Sequence, residues 1–293
     1  MGAITEYDYD KVNAALEAAV KTHPISQDLH EAYRAEFLAE QAEMAEPLNV
    51  LNKSRYLKPD VPWGLVVYRV SYSDDAAWDR MLSVIRQEIE SSLAMRKTQP
   101  DSDLLSRHDL VVMDDRCIFE GASHEKIREH FNTWSIDELQ RNWRVYHEPV
   151  TKDEITGSAG SMDYLFHAGP RYNFCFFVDD ICIESIEHMD SPVVKLVNRA
   201  WTPESEPDEA EEDEEDEKLD WEGGDTNHEY EDVGWMYVDA DEYIEVQNYL
   251  QEDDKWCEMY VRPPLMRWES EFNRAPGFWR QKTPHNSLGV NAS

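Results

Sequence analysis

Apolar residues recur along this chain in two rhythms, one helical and one strand-like. The stretch "DYDKVNAALEAAVKTH" puts Val12, Leu16, Ala19 and Val20 on one stripe, and Pro24 ends it. "SQDLHEAYRAEFLAEQAEMA" follows, with Ser26 as an N-cap and Leu29, Tyr33, Phe37 and Leu38 on one face. "WGLVVYRVSY" (63–72) is rich in Val and Tyr and is bounded by Pro62 and Ser73, which predicts a strand. Trp78, Leu82, Ile85, Ile89 and Leu93 then fall at spacings of 4, 3, 4 and 4, the mark of an amphipathic helix. Asp74 and Asp75 suit the positive end of its dipole.

"DLVVMDD" (109–115) predicts a short strand, and "GASHEKIREHFNTW" a helix capped by Ser123 that buries Ile127, Phe131 and Trp134. Ser135 and Glu138 form a capping-box pair, which predicts a separate short helix over "IDELQRNW". "MDYLFHA" (162–168) and "PVVKLV" (192–197) add strands. Between them, "YNFCFFV" and "ICIESI" flank Asp179-Asp180, which predicts a β-hairpin with a two-residue turn. In that hairpin Phe174, Phe176, Val178, Ile181 and Ile183 face the core. "VGWMYVDA" and "DEYIEVQNYL" close the series as a strand and a helix.

The order is helix–helix, β-α-β-α, a strand cluster, then β-α. Strict alternation is absent, so the expected fold is α+β, with a mainly antiparallel sheet and helices on one face. "WGLVVYRVSYSDDAAWDRML" and "GWMYVDADEYIEVQNYL" share a plan of Trp near Gly, a Val/Tyr strand, acids and a helix. That is compatible with a degenerate ferredoxin-like repeat, and equally with the common look of any two β-α units. The expected domains are a helical extension over 1–59 packed on an α+β domain over 60–265, and a tail over 266–293.

Charge sharpens the picture. The 293 residues carry 62 acids against 28 bases, a formal net charge of −34. Such a field repels phosphate backbones and anionic membranes, so nucleic-acid and membrane partners are not expected. Residues 203–232 hold 17 of the acids and one base, Lys218. A packed core cannot be built from that composition, so this segment is expected as a disordered acidic insertion able to steer a basic protein partner. No signal-peptide pattern opens the chain and no apolar run reaches the length of a membrane helix. Cysteines 117, 175, 182 and 257 lack C-x-x-C spacing, so reduced thiols and a cytoplasmic location are expected.

Motifs for chemistry are absent: no G-x-S-x-G, no G-x-G-x-x-G, no P-loop and no H-E-x-x-H. No cofactor and no metal is expected. Glu184, Glu187, His188 and Asp190 are the metal candidates near the hairpin. On a strand, Glu184 and His188 would start about 13 Å apart and Glu187 would point the other way, too far for one ion. His124 and His130 lie six apart on nearly opposite faces of a helix. Two groups remain as binding candidates. His167, Arg171 and Tyr172 gather a base, a cation and a phenol at a Gly-Pro turn, where the arginine suits a carboxylate. Trp143, Tyr146 and His147 could line a pocket mouth. The alternative for each is structural: Arg171 paired with a nearby acid, and the aromatics docking a helix end.

"PWGLVVYRVSYSDDAAWDRML", "LVVMDDRCIFEGAS", "RYNFCFFVDDICIESIEHMDSPVVKLVNRAW" and "VGWMYVDADEY" together resemble a set of uncharacterised filamentous-fungal proteins. The resemblance covers about residues 60–265 apart from the acidic segment. It implies a fungal intracellular domain and carries no assigned chemistry. Two functional classes follow. The reading preferred from sequence, because no motif for chemistry is present, is a soluble intracellular interaction or regulatory protein. The other is an accessory enzyme or small-molecule binder, of secondary metabolism in a fungus, with an aromatic-lined pocket. A cavity of several hundred cubic ångströms holding a His or Arg beside aromatics would favour the second.

Overall fold

The computed structural model describes residues 57–58, 60–95, 104–143, 151–155, 164–202, 232–251, 255–267 and 274–281. The chain divides into Met1–Pro47 with Met95–Lys97, and the remainder. The first unit lies outside the described residues apart from Met95, and so do the two N-terminal helices expected there. The acidic segment 203–232, apart from Asp232, lies outside them too.

Five strands form the sheet: β1 (Val66–Arg69), β2 (Val111–Met113), β3 (Phe174–Val178), β4 (Val193–Asn198) and β5 (Trp235–Asp239). Their order is β2-β1-β3-β4-β5. β1 runs parallel to both β2 and β3, and β4 runs antiparallel to β3 and β5. The fold is α+β, but the sheet is mixed rather than mainly antiparallel. The longer helices are α1 (Asp75–Met95), α2 (His124–Asn142), α3 (Asp180–His188), α4 (Tyr243–Tyr249), α5 (Lys255–Met259) and α6 (Pro276–Gln281).

Helices cover both faces, which corrects the one-sided expectation. On one face Val67, Phe176, Leu196 and Met236 pack against Trp78, Met81, Ile85 and Ile89 of α1 and Tyr243 and Ile244 of α4. On the other, Val66, Tyr68, Phe177, Val197 and Trp235 pack against Ile127 and Phe131 of α2 and Trp279 of α6. The stretch beyond 265, expected as a tail, thus supplies a core residue. β1, β3, β4 and β5 are buried on both sides, as in sheets sandwiched between helices, while the edge strand β2 is half-buried. A third cluster, with Leu57, Leu139, Leu165 and Tyr172, lies toward the amino end of β3.

The Asp179-Asp180 hairpin does not form. Asp179 is the N-cap of α3, where its Oδ1 accepts from the Cys182 N–H at 3.1 Å. The chain therefore enters a helix after Val178, and β3 pairs with β4 instead, Phe176 opposite Leu196. The expected second helix start at Ser135 is also absent. α2 runs through it, and Ser135 is a buried interior position whose hydroxyl lacks a hydrogen-bond partner. "MDYLFHA" is not a strand in its described part: Phe166–Ala168 forms a 3₁₀ turn.

Candidate functional site

The sequence-chosen residues lie at the amino ends of the strands. Arg171 is fully buried. Its guanidinium donates to the carbonyls of Gly64 (3.1 Å) and Asp109 (2.9 Å), to the Asp109 carboxylate (2.8 Å) and to Glu138 (3.4 Å). Tyr172 is buried beside it, and its hydroxyl accepts from the Asn142 amide at 3.2 Å. His167 sits on the 3₁₀ turn, edge-on to Phe166. Trp143 caps α2 and meets Tyr164 edge-on. Tyr146 and His147 lie outside the described residues. Arg171 and Tyr172 are therefore construction residues that tie β1, β2 and α2 to the start of β3. Neither side chain reaches solvent.

The opposite end of the sheet holds a cleft of about 530 Å³. It opens at the carboxyl ends of the parallel neighbours β1 and β3. From β1 the chain crosses one face through α1 to β2, then returns over the other face through α2 to β3. Such a reversal leaves a crevice at the strand ends, where open α/β sheets bind ligands. The Val70 and Ser71 N–H groups both donate to the Val178 carbonyl (2.9 and 3.1 Å), which holds the two strand exits together. Gly121, with a left-handed φ of +63°, donates to the Val70 carbonyl and turns the chain into α2. The amino terminus of that long helix thereby borders the cleft.

The floor is made by β3 and β4. Lys195 is 2% exposed, and its Nζ lies 2.5 Å from Asp179 Oδ2. The same ammonium stands 4.3 Å from the Trp235 ring and within cation–π range of Phe177 and Tyr237. Burial pushes the Asp179 carboxyl up, but the Lys195 charge and the Cys182 N–H more than offset this and hold it below its usual range. His124 stacks between Phe177 (4.5 Å) and Trp235 (4.9 Å). Its Nε2 is buried without a hydrogen-bond partner. Burial, and then the nearby Lys195 and Arg128 charges, push its pKa down to about 3, so the ring is neutral at physiological pH.

The mouth is polar. Ser71 and Ser73 both donate to Asp180 Oδ1, the latter at 3.2 Å, and their hydroxyls lie 2.8 Å apart. Arg116 makes a two-pronged pair with Glu120 on the rim. The Tyr72 ring lies 4.4 Å from the Arg69 guanidinium and 5.6 Å from that of Arg116. The cleft thus offers hydroxyls, an accessible carboxylate, a buried ammonium–carboxylate pair and a neutral imidazole. None of its polar residues was singled out as a ligand site from sequence. They come from four separated segments; in the sequence Asp179-Asp180 stood out as a turn, Ser123 as a helix cap, and His124 only as half of a histidine pair on opposite helix faces.

The metal candidates also have other partners. Glu184 pairs with Arg280, Glu187 with Arg80, and the His188 ring stacks on Trp279. They lie on or beside a helix rather than a strand, so the spacing argument drawn from strand rise does not apply. Among the described residues no three His, Cys, Asp or Glu side chains gather as a metal site. All four cysteines are free, with Cys175 and Cys182 buried. No helix among the described residues is long and apolar enough to cross a membrane. Comparison with protein-family models, curated proteins and solved structures finds no significant match.

Proposed function

We propose that the protein binds a small polar molecule in the cleft at the carboxyl ends of β1 and β3, as an accessory enzyme or binding protein. One observation carries this reading: a cavity of about 530 Å³ at the point where the winding of the parallel strands reverses. The lining supports it, since His124 and Arg116 stand beside Phe177 and Tyr72. The interaction reading depends on the acidic segment and has no counterpart among the described residues. Four free thiols, two of them exposed, support the cytoplasm as the compartment. The fungal resemblance is retained as part of the same proposal.

A fragment screen on the full chain, read by protein NMR, tests it. Binding shifts should concentrate on residues 70–73, 120–124 and 177–180. Ser73→Trp, on the exposed loop at the mouth, should abolish them without lowering Tm. Fragments that bind elsewhere, or that bind Ser73→Trp as well as the parent, would overturn the assignment.

A further inference from the structure

Lys195 sits in the middle of β4, on the face that packs against α2. Burying an ammonium is costly, and buried ion pairs are commonly no more stabilising than apolar pairs of the same size. A leucine would fill that position in the second core at least as well. What the lysine adds is a nucleophilic nitrogen at the floor of a cleft, with a carboxylate 2.5 Å away. An anionic ligand group suits this nitrogen poorly, because Asp179 already neutralises it and Asp180 stands at the mouth. An uncharged carbonyl carbon suits it better, since a desolvated lysine forms Schiff bases once its proton is removed, and Asp179 is the group within reach of that proton.

We infer that Lys195 forms an imine with a small, neutral, hydroxylated aldehyde or ketone held in the cleft, with Asp179 as the proton carrier. This rests on the cleft's being the ligand site. Against the resting preference of the ion pair, the Lys195 ammonium gives a proton to Asp179 once the ligand has excluded water, and the freed amine attacks the carbonyl carbon. The C–N bond forms as the C=O π bond opens, and proton transfer leaves a neutral carbinolamine. Asp179 then returns its proton to the carbinolamine hydroxyl, which departs as water. The product is a protonated imine beside a carboxylate. Carbonyl and ammonium have become iminium and water, with no oxidant or reductant. The iminium keeps the single positive charge, so the Trp235 face and Asp179 stabilise reactant and product alike. Hydroxyls on the ligand would meet Ser71, Ser73 and Asp180 at the mouth.

The full chain incubated with dihydroxyacetone and sodium cyanoborohydride, digested and read by mass spectrometry, tests this. Reductive labelling of Lys195 should exceed that of any other lysine by on the order of tenfold. Lys195→Arg keeps the charge and should lose the adduct while dihydroxyacetone still shifts the cleft resonances. Should that variant not fold, the labelling pattern of the parent chain decides alone. Lys195 labelled no more than surface lysines overturns the imine. If cleft shifts are then still seen, the binding reading stands; if they are absent too, it falls as well.

Discussion

Arg171 reaches from the turn before β3 to Asp109, where it grips both the backbone carbonyl and the carboxylate. One side chain thereby joins the approach to β2 with the approach to β3, and through the Gly64 carbonyl with that to β1. Removing it takes a donor from the Gly64 and Asp109 carbonyls, while Glu138 keeps Arg141 and Asn142. Arg171→Met should cost about 1–3 kcal/mol, read by chemical denaturation. Arg171→Lys should recover little of that, since a single ammonium cannot reproduce the fork. A loss under about 1 kcal/mol for Arg171→Met would show that the network is dispensable.

Phe176 is buried at the centre of the sheet, opposite Leu196 and edge-on to Tyr243. Phe176→Ala should cost about 3–5 kcal/mol, enough to make the protein partly unfolded or insoluble. Glu187→Ala breaks only the exposed pair with Arg80 and should change stability by less than about 1 kcal/mol. Equal effects from the two substitutions would contradict the burial described above.

The Lys195–Asp179 pair should show strong coupling in a double-mutant cycle. Lys195→Met leaves a buried carboxylate, and Asp179→Asn keeps the α3 cap but leaves a buried ammonium. Each alone should cost about 3 kcal/mol or more, and the double variant clearly less than their sum. Strict additivity of the two losses would mean that the charges do not interact.

His124 sets a pH dependence. Its pKa falls from 6.5 to about 3 on folding. Above pH 6.5 neither state is protonated and this ring contributes no slope. Between 6.5 and 3 the unfolded chain binds a proton that the folded chain does not. Stability therefore falls as pH falls, by up to about 1.4 kcal/mol per unit. Denaturation of the parent chain and of His124→Phe at pH 7 and pH 5 isolates the effect. The variant should lose less stability on acidification; identical losses would show that the ring is not held neutral by folding.

Ser135 offers a stabilising change. Its hydroxyl is buried and unpartnered inside α2. Ser135→Ala removes that burden and raises helix propensity, so Tm should rise, by about 1 kcal/mol in stability. A lower Tm would mean that the hydroxyl has a partner after all.

β1, α1, β4, β5 and α4 were legible as elements because each combines an apolar rhythm with a clear start, although β1 is shorter than the apolar run that announces it. Trp78 to Ile89 is a helical stripe behind Asp74, whose carboxylate does accept from the Ala77 N–H. The two-sided burial was also written in the sequence, in the unbroken runs "LVVY" and "FCFFV", whereas a one-sided sheet would alternate. Asp179-Asp180 misled because an acid before an apolar run serves equally as a turn or as an N-cap. Only the pairing of β3 with β4 decides between them. Arg171 stood out by the scarcity of bases and does hold a carboxylate, but in the interior. The cleft itself was not readable. Ser71, His124, Asp179 and Lys195 meet because β1 and β3 pair in parallel, and parallel pairing depends on crossovers that local patterns do not encode.

β4 and β5 are antiparallel neighbours, with Val197 opposite Trp235 and the Asn198 N–H donating to the Gly234 carbonyl. The chain therefore leaves and rejoins the sheet through two doors side by side. Whatever length of chain lies between them, the frame sees the same narrow gap. Lengthening the connection costs only about 0.6 kcal/mol per doubling. Asn198 is three residues from Lys195 along β4, about 10 Å by strand rise, and Trp235 beside the second door packs on the Lys195 ammonium. That is close to the screening distance of about 8 Å in physiological salt. A charged module spliced in at this junction would therefore bear on the electrostatics of the cleft floor.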